Sequence, residues 1–228
     1  MSERGSRTRA SRVHAVYATQ EIVLKKLFIT VSALFCAAVL AQTPASAPAA
    51  AAPTQRLRAT VESFDSAKLV IKERSGEVIS LVLADTFSVS EVLPIELGAI
   101  QPNSYVGVAS SPRPDGTLQA LEVLVFPEAA RGSGEGHYPW DLQPGSMMTN
   151  ATVGDMASTP QGRTLKLRYK GGEQTVTVAA NAPVVTFKPA DRTLIVPGAK
   201  VVVTAQLRNG QPTALRVLAG RNGFTPPM

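Results

Sequence analysis

The chain is short of the side chains on which most enzyme and metal chemistry depends. It has one cysteine, two histidines and one tryptophan in 228 residues, and aromatic residues make up 5%. Cys36 sits inside an apolar run near the start, so beyond that run the chain has no thiolate nucleophile, no disulfide framework and no cysteine metal ligand. A structural zinc site normally combines several Cys or His ligands. Here His14 stands near the N-terminus and His137 is alone in the body. The strand–turn–helix signature G-x-S-x-G of an exposed nucleophilic serine is absent as well. The longest apolar run, Leu27 to Ala41, has 15 residues, whereas a spanning helix needs about 20. A permease with many membrane helices is therefore excluded.

One-signed charge is also scarce once its location is considered. The net charge is +6, but residues 1–41 hold six Lys and Arg against two Glu, and the remainder has 17 basic and 15 acidic residues. A nearly balanced body gives little attraction for a polyanion, so no nucleic-acid partner is expected. The best local candidate for a base-stacking platform is Tyr169, among Lys166, Arg168 and Lys170. It shares strand parity with Leu165 and Leu167, which points it to a core.

What is present at the N-terminus is an export pattern. Lys25 and Lys26 precede the run "LFITVSALFCAAVLA", and small residues follow at Val39-Leu40-Ala41 and Ala45-Ser46-Ala47. Residues 1–41 read as a signal peptide cleaved after Ala41, with an uncleaved anchor as the alternative and the only expected membrane contact. Translation starting at Val23 or Leu24 would give a leader of more ordinary length. Lipidation of Cys36 is disfavoured, because Phe35 precedes it and it lies within the apolar core of the leader. Residues 42–55, "QTPASAPAAAAPTQ", carry no charge and no large apolar side chain, and read as a flexible tether. A periplasmic or secreted location follows.

From Arg56 the pattern becomes all-β. "RLRATVES" places Leu57, Ala59 and Val61 on one face. "KLVIKE" and "VISLVLAD" flank Ser75-Gly76, and "SYVGVAS" and "TLQALEVLVF" flank Asp115-Gly116, a strong hairpin signal. "EVLPIELGAIQPNS" between the third and fourth strands is long enough for a short helix. The same order then recurs: "NATVGDM", "TLKLRYK", "GGEQTVTVAA", "LIVPGAKVVVTA" and "RNGQPTALRVLAG". Val61 returns as Val153, 92 residues on, and Gly116, Leu121 and Val123 return 94 residues on as Gly210, Leu215 and Val217. A duplication is the economical reading. Each copy fits a small five-stranded Greek-key barrel of the OB type, with an SH3-like or split barrel as the alternative. The expected organisation is a first barrel over 56–127, a joint rich in Gly and Pro over 128–148, a second barrel over 149–222 and a tail over 223–228.

The stretches "ATVESF", "ADTFSV", "PDGTLQALEVLVFPEAARGSGEGHYPWDLQPGSMMTNATV" and "GRNGFTPPM" resemble a family of exported proteobacterial proteins built from repeated small β-barrel domains of unknown function. The resemblance covers residues 56–228, with "GEGHYPWD" and "TPPM" its most specific parts. It implies the fold and the address. Some members bear labels linking them to metal transport, and the resemblance supplies no catalytic residue.

The rare side chains gather in the joint: Glu135, His137, Tyr138, Trp140 and Asp141, followed by Met147 and Met148. Three chemistries can be set against them. As a hydrolase, His137 would be the base, oriented by Asp141 and facing Ser133 or Ser146, but a Gly-rich stretch is a poor platform for positioning. As a metal site, Glu135, His137 and Asp141 would offer one nitrogen and two oxygens, or His137, Met147 and Met148 would suit a soft ion. As a binding element, "YPW" would dock onto a barrel and shape a recognition site, since large aromatics normally bury 150–250 Å² each. The last reading is preferred. The expectation is a non-enzymatic periplasmic binding or scaffold module without cofactor, whose partner is an envelope protein, peptide, glycan or small ligand. A metal-binding or metal-transport accessory protein is the first alternative, and an enzyme centred on His137 the second.

Overall fold

The computed structural model describes residues 53–228. The expected signal peptide, and the tether up to residue 52, lie outside the described residues. The described part is all-β, with twelve strands and three single-turn 3-10 segments. The strands are β1 (Thr54–Phe64), β2 (Lys68–Glu73), β3 (Val78–Pro94), β4 (Tyr105–Pro112), β5 (Leu118–Val125), β6 (Gly136–Pro139), β7 (Met147–Thr159), β8 (Gly162–Tyr169), β9 (Gly172–Ala179), β10 (Val184–Ala190), β11 (Lys200–Arg208) and β12 (Gln211–Ala219). β1 already begins at Thr54, inside the stretch read as tether. The segment expected to hold a short helix contains only the 3-10 turn Leu97–Ala99, because β3 extends to Pro94 and uses up much of it.

Turn chemistry explains where the hairpins close. Gly116 has φ 80° at the β4–β5 turn, and the Asp115 carboxylate accepts the Thr117 N–H at 2.9 Å. Asn209 and Gly210 both have positive φ, 49° and 75°, between β11 and β12. That pair matches the primed turn which follows the right-handed twist of a two-residue hairpin.

Strand pairing does not follow the segments 56–127 and 149–222. β1 pairs with β2, β2 with β3, β3 with β12, β12 with β11, and β11 returns to β1. That is a closed circuit of five strands, with β3–β12 parallel and the other pairs antiparallel. A second circuit runs β7–β8–β9–β5–β4–β7, with β9–β5 parallel. Each circuit therefore takes three strands from one part of the chain and a hairpin from the other. The hairpins β4–β5 and β11–β12 have changed places. The physical reason lies in β3. Seventeen residues in extended conformation carry the chain roughly 55 Å at about 3.3 Å per residue. The hairpin that follows lands on the far circuit and not on the strands it has just left.

The two circuits meet through the second half of β3 and through β10, which pair antiparallel from Val89↔Ala190 to Pro94↔Val185. The registers have a twofold character. Leu218 sits beside Ser90 and Leu124 beside Val185, so residues on β3 correspond to residues 95 further on in β10. By that rule Val92 corresponds to Phe187, and these two are paired with each other. A local twofold axis thus passes through the Val92–Phe187 pair.

Three clusters of buried side chains follow. Val61, Leu69, Ile71, Leu81, Val203 and Val217 fill the first circuit. Val153, Leu165, Leu167, Val176, Val108 and Val123 fill the second at the corresponding places. Val92, Val185, Val202 and Met228 are buried near the axis, with Leu124, Phe187, Leu218 and Phe224 packed against them.

Candidate functional site

The joint is an ordered strap. Its middle is β6, which adds to β7 with His137 opposite Thr149 and Tyr138 opposite Met148. Alternation along β6 sends its side chains two ways. His137 faces away from the axis: Nδ1 lies 2.9 Å from Thr149 Oγ1, and the ring stacks on Tyr169 at 6.3 Å. Burial holds its pKa below the ordinary value. Glu135 accepts the Lys170 N–H at 3.0 Å. Tyr138 points to the other side, where its hydroxyl accepts from Asn150 Nδ2 at 3.0 Å and donates to the Gly134 carbonyl at 3.3 Å.

Beyond β6, Trp140 and Asp141 both reach β1. The Arg56 guanidinium lies 3.6 Å from the centroid of the Trp140 ring, a cation–π contact. Arg58 donates to Asp141 at 2.9 Å and to the Met228 main-chain oxygen at 2.9 Å. Desolvation pushes the Asp141 carboxyl up, but the Arg58 hydrogen bond and the charges of Arg56 and Arg58 outweigh it and leave its pKa lowered. Ser146, 1% exposed, closes the loop by donating to the carbonyls of Trp140 and Gln143. The docking of "YPW" on a β-surface is thus seen at atomic level, and Arg56 is the residue it meets.

The five joint residues do not form one cluster. His137 and Glu135 engage β7 and the β8–β9 turn, while Trp140 and Asp141 engage β1. Met147 and Met148, adjacent on β7, point to opposite faces, and Met148 is buried toward the axis. Among the described residues no three of His, Cys, Asp and Glu come together as a set that could hold a metal ion. The triad of His137, Asp141 and Ser133 or Ser146 is not assembled either, since Asp141 is committed to Arg58 and Ser146 to the loop carbonyls.

The strap covers a cavity of about 170 Å³ at the axis. Its apolar wall is Leu124, Phe126, Met148, Val202, Leu218 and Met228. Arg56, Glu122, Trp140, Asn150, Thr204 and Arg216 supply the polar groups. Gly107 opens it on one side, where an added Cβ would lie 2.6 Å from Asn150 Oδ1.

Glu122 is its least expected member. It is 1% exposed, and its Oε2 has no hydrogen-bond partner. Burial pushes its pKa up to about 7, against a smaller opposing pull from Arg58 and Arg56. Trp140 Nε1 is likewise buried without a partner, and Arg56 Nε is buried without a hydrogen bond, 3.6 Å from Asp141 Oδ1. Arg216 is half-buried, lies 4.8 Å from the Phe187 ring centroid, and makes one long hydrogen bond, 3.4 Å to Ser90 Oγ. Burial lowers its pKa, and no carboxylate among the described residues pairs with it.

A β-bulge aims both charges. Across the β4–β5 ladder Ala109 pairs with Glu122 and Ser110 with Ala120, leaving Leu121 extra. Across β11–β12, Thr204 pairs with Arg216 and Ala205 with Ala214, leaving Leu215 extra. Each extra residue switches the side-chain parity, so the residue after it leaves the barrel core and turns to the axis.

A larger surface cleft, about 380 Å³, lies beside β1, β2 and β11 and is lined by Arg58, Lys72, Arg74 and Lys200. Its lysines are exposed, and Lys200 bonds Thr60 at 2.7 Å. It is a solvated basic groove, without the unpaired buried groups of the axial cavity.

Glu122, Arg56 and Arg216 were not singled out from the sequence. The available signal was a lone charge within each of two otherwise apolar strands, "LQALEVLVF" and "TALRVLAG", at matching places and of opposite sign. Compared with known proteins, the chain matches no family model, no curated protein and no solved structure.

Proposed function

We propose that this protein is an exported, non-enzymatic binding module whose ligand site is the cavity between two OB-type barrels of a tandem duplication. One observation carries the reading. Glu122 Oε2, Arg56 Nε and Trp140 Nε1 are buried at one small cavity without hydrogen-bond partners. Buried polar groups in folded proteins are nearly always satisfied, and leaving one unpaired costs about 1–3 kcal/mol. Three such atoms around a partly open cavity, backed by an apolar wall, are the makings of a small-molecule site. A bound ligand would satisfy them. The volume suits a small molecule better than a protein segment or a glycan chain. The strap over it belongs to the binding element, and Trp140 is both wall and lid.

The pairing order supports the OB-type reading, since a parallel closing pair between the third and fifth strands fits a five-stranded Greek-key barrel. Matching registers support the duplication, and the Lys25-Lys26 leader supports export. The resemblance to exported proteins of repeated small barrels agrees with both. The test is native mass spectrometry of the protein purified from the cell envelope without denaturation. A small-molecule adduct is expected, and it should vanish in Leu218→Trp, which fills the cavity. No adduct in the wild type, or an adduct retained in a folded Leu218→Trp protein, would overturn the reading.

A further inference from the structure

We propose that the cavity takes a small organic acid, with its carboxylate against Arg216, Arg56 and the Trp140 indole N–H and its apolar body against Leu124, Leu218, Phe126 and Met148. This rests on the cavity reading above and adds the chemical class. The argument is one of unmatched groups. Trp140 Nε1 is a donor without an acceptor, Arg56 Nε makes no hydrogen bond and only a long ion-pair contact with Asp141 at 3.6 Å, and Arg216 is a half-buried cation without a carboxylate partner. A desolvated cation lacking a counter-charge is costly, and the group that relieves it is an anion with a planar pair of acceptors. Asp141 serves the β1 arginines, at 2.9 Å from Arg58 and 3.6 Å from Arg56, and forms no ion pair with Arg216. An amine would meet two guanidinium groups, and a neutral polar molecule would leave the cation uncompensated. The rest of the lining is hydrocarbon and sulfur, which favours an apolar body on the acid.

Glu122 then has a defined part. Beside a bound carboxylate it must be protonated, as two like charges in one small cavity repel. A protonated Glu122 also donates through the oxygen that otherwise has no partner. The ionisable groups that act on it are Arg58 and Arg56 on β1, themselves paired with Asp141 of the strap, and Arg216 on β12 lines the same cavity. None of these changes charge between pH 6 and pH 8 by its ordinary chemistry. Ligand affinity should therefore fall about tenfold from pH 6 to pH 8 through Glu122 alone.

The purified full chain offers a direct readout, since Trp140 is its only tryptophan. Titration with hexanoate, followed by Trp140 fluorescence, should saturate, with hexanamide and hexylamine binding at least tenfold more weakly. Arg216→Met should lose at least tenfold in affinity and Arg216→Lys less, with unfolding midpoints recorded for both. Glu122→Gln should bind hexanoate with no pH dependence between 6 and 8. Equal or tighter binding of hexylamine or hexanamide overturns the proposal, as does a folded Arg216→Met protein of unchanged affinity. If hexanoate fails while the envelope adduct is present, the acid class falls and the cavity reading stands. If no adduct exists and none of the three probes moves the emission, both fall.

Discussion

Where one five-strand circuit carries Glu122 the other carries Arg216, at the same place after the same bulge. The two circuits agree closely in their interiors. Val61 and Val153, Leu69 and Leu165, and Val123 and Val217 occupy matching positions and are all 2% exposed or less. They disagree at the axis. Arg58 on β1 stands where Asn150 stands on β7, and Val202 where Gly107 stands. Phe126 occupies one side, while at the matching Gly220 a Cβ would lie 2.3 Å from the Phe224 main-chain oxygen, so the tail fills that space instead. Interior likeness follows from close packing, which tolerates volume-conserving exchange best. Divergence at the axis has no such cause in packing, and it concentrates the unpaired polar groups in one cavity.

The largest effects should come from breaking the likeness. Leu69→Ala and Leu165→Ala remove matching, fully buried side chains, and each should cost about 2–5 kcal/mol. Because the hairpins are exchanged, either change should lower the midpoint of a single denaturant transition. Two separate transitions would show that the barrels unfold independently.

Next comes the charge at the axis. Glu122 has its pKa raised from an ordinary 4.5 to about 7 in the folded protein. The folded state then holds a proton which the unfolded chain has lost, so stability should fall between those two pH values and stay low above them. The sign follows because the folded form binds more protons in that window. Glu122→Gln should remove the slope and leave the protein more stable above pH 7, by up to a few kcal/mol. Unfolding midpoints compared at pH 5 and pH 8 decide it.

Gly220→Ala should displace Phe224 and loosen Met228 from the axis, at about 1–3 kcal/mol for an overpacked site. Thermal unfolding and faster proteolysis of the tail would register it. The smallest change is expected for Asp141→Asn. The carboxylate is half-exposed, with 49% of its side chain accessible, and exposed ion pairs contribute at most about 1 kcal/mol. Its folded pKa is lowered, so the contribution is present at neutral pH and lost as pH falls through that value. Little change in midpoint, with a measurable shift in Trp140 emission as the strap relaxes, is the expected outcome.

Much of the fold was legible in sequence. The alternation of Leu57, Ala59 and Val61 and of Leu165, Leu167 and Tyr169 placed strands correctly, and Asp115-Gly116 placed its turn. Partner choice was not legible. Period-two alternation says that a strand has one buried face and nothing about which neighbour it joins. Hairpins with interiors this similar in pattern fit either five-strand circuit. The decision was taken by "DTFSVSEVLP", which continues β3 as an extended ribbon paired with β10. In the joint, the Trp140 contact followed from the burial demand of an indole, while its partner Arg56 lies 84 residues earlier and left no local mark. His137 attracted interest by rarity, yet rarity has no bearing on geometry, and its ring ended between Thr149 and Tyr169. Glu122 and Arg216 were obscured by the bulges at Leu121 and Leu215, which shift the strand parity that periodicity relies on.

The axis through Val92 and Phe187 has a consequence for what a single chain can build. A homodimer with the same architecture would repeat every residue across its axis, so that a glutamate would face a glutamate and an arginine an arginine. Joining both halves in one polypeptide lifts that restriction. One wall can hold an acid and the other a base, one a glycine and the other a valine, and a lone strap can be laid across one side without a twin. A twofold scaffold thereby borders an asymmetric space whose two walls are chemically distinct.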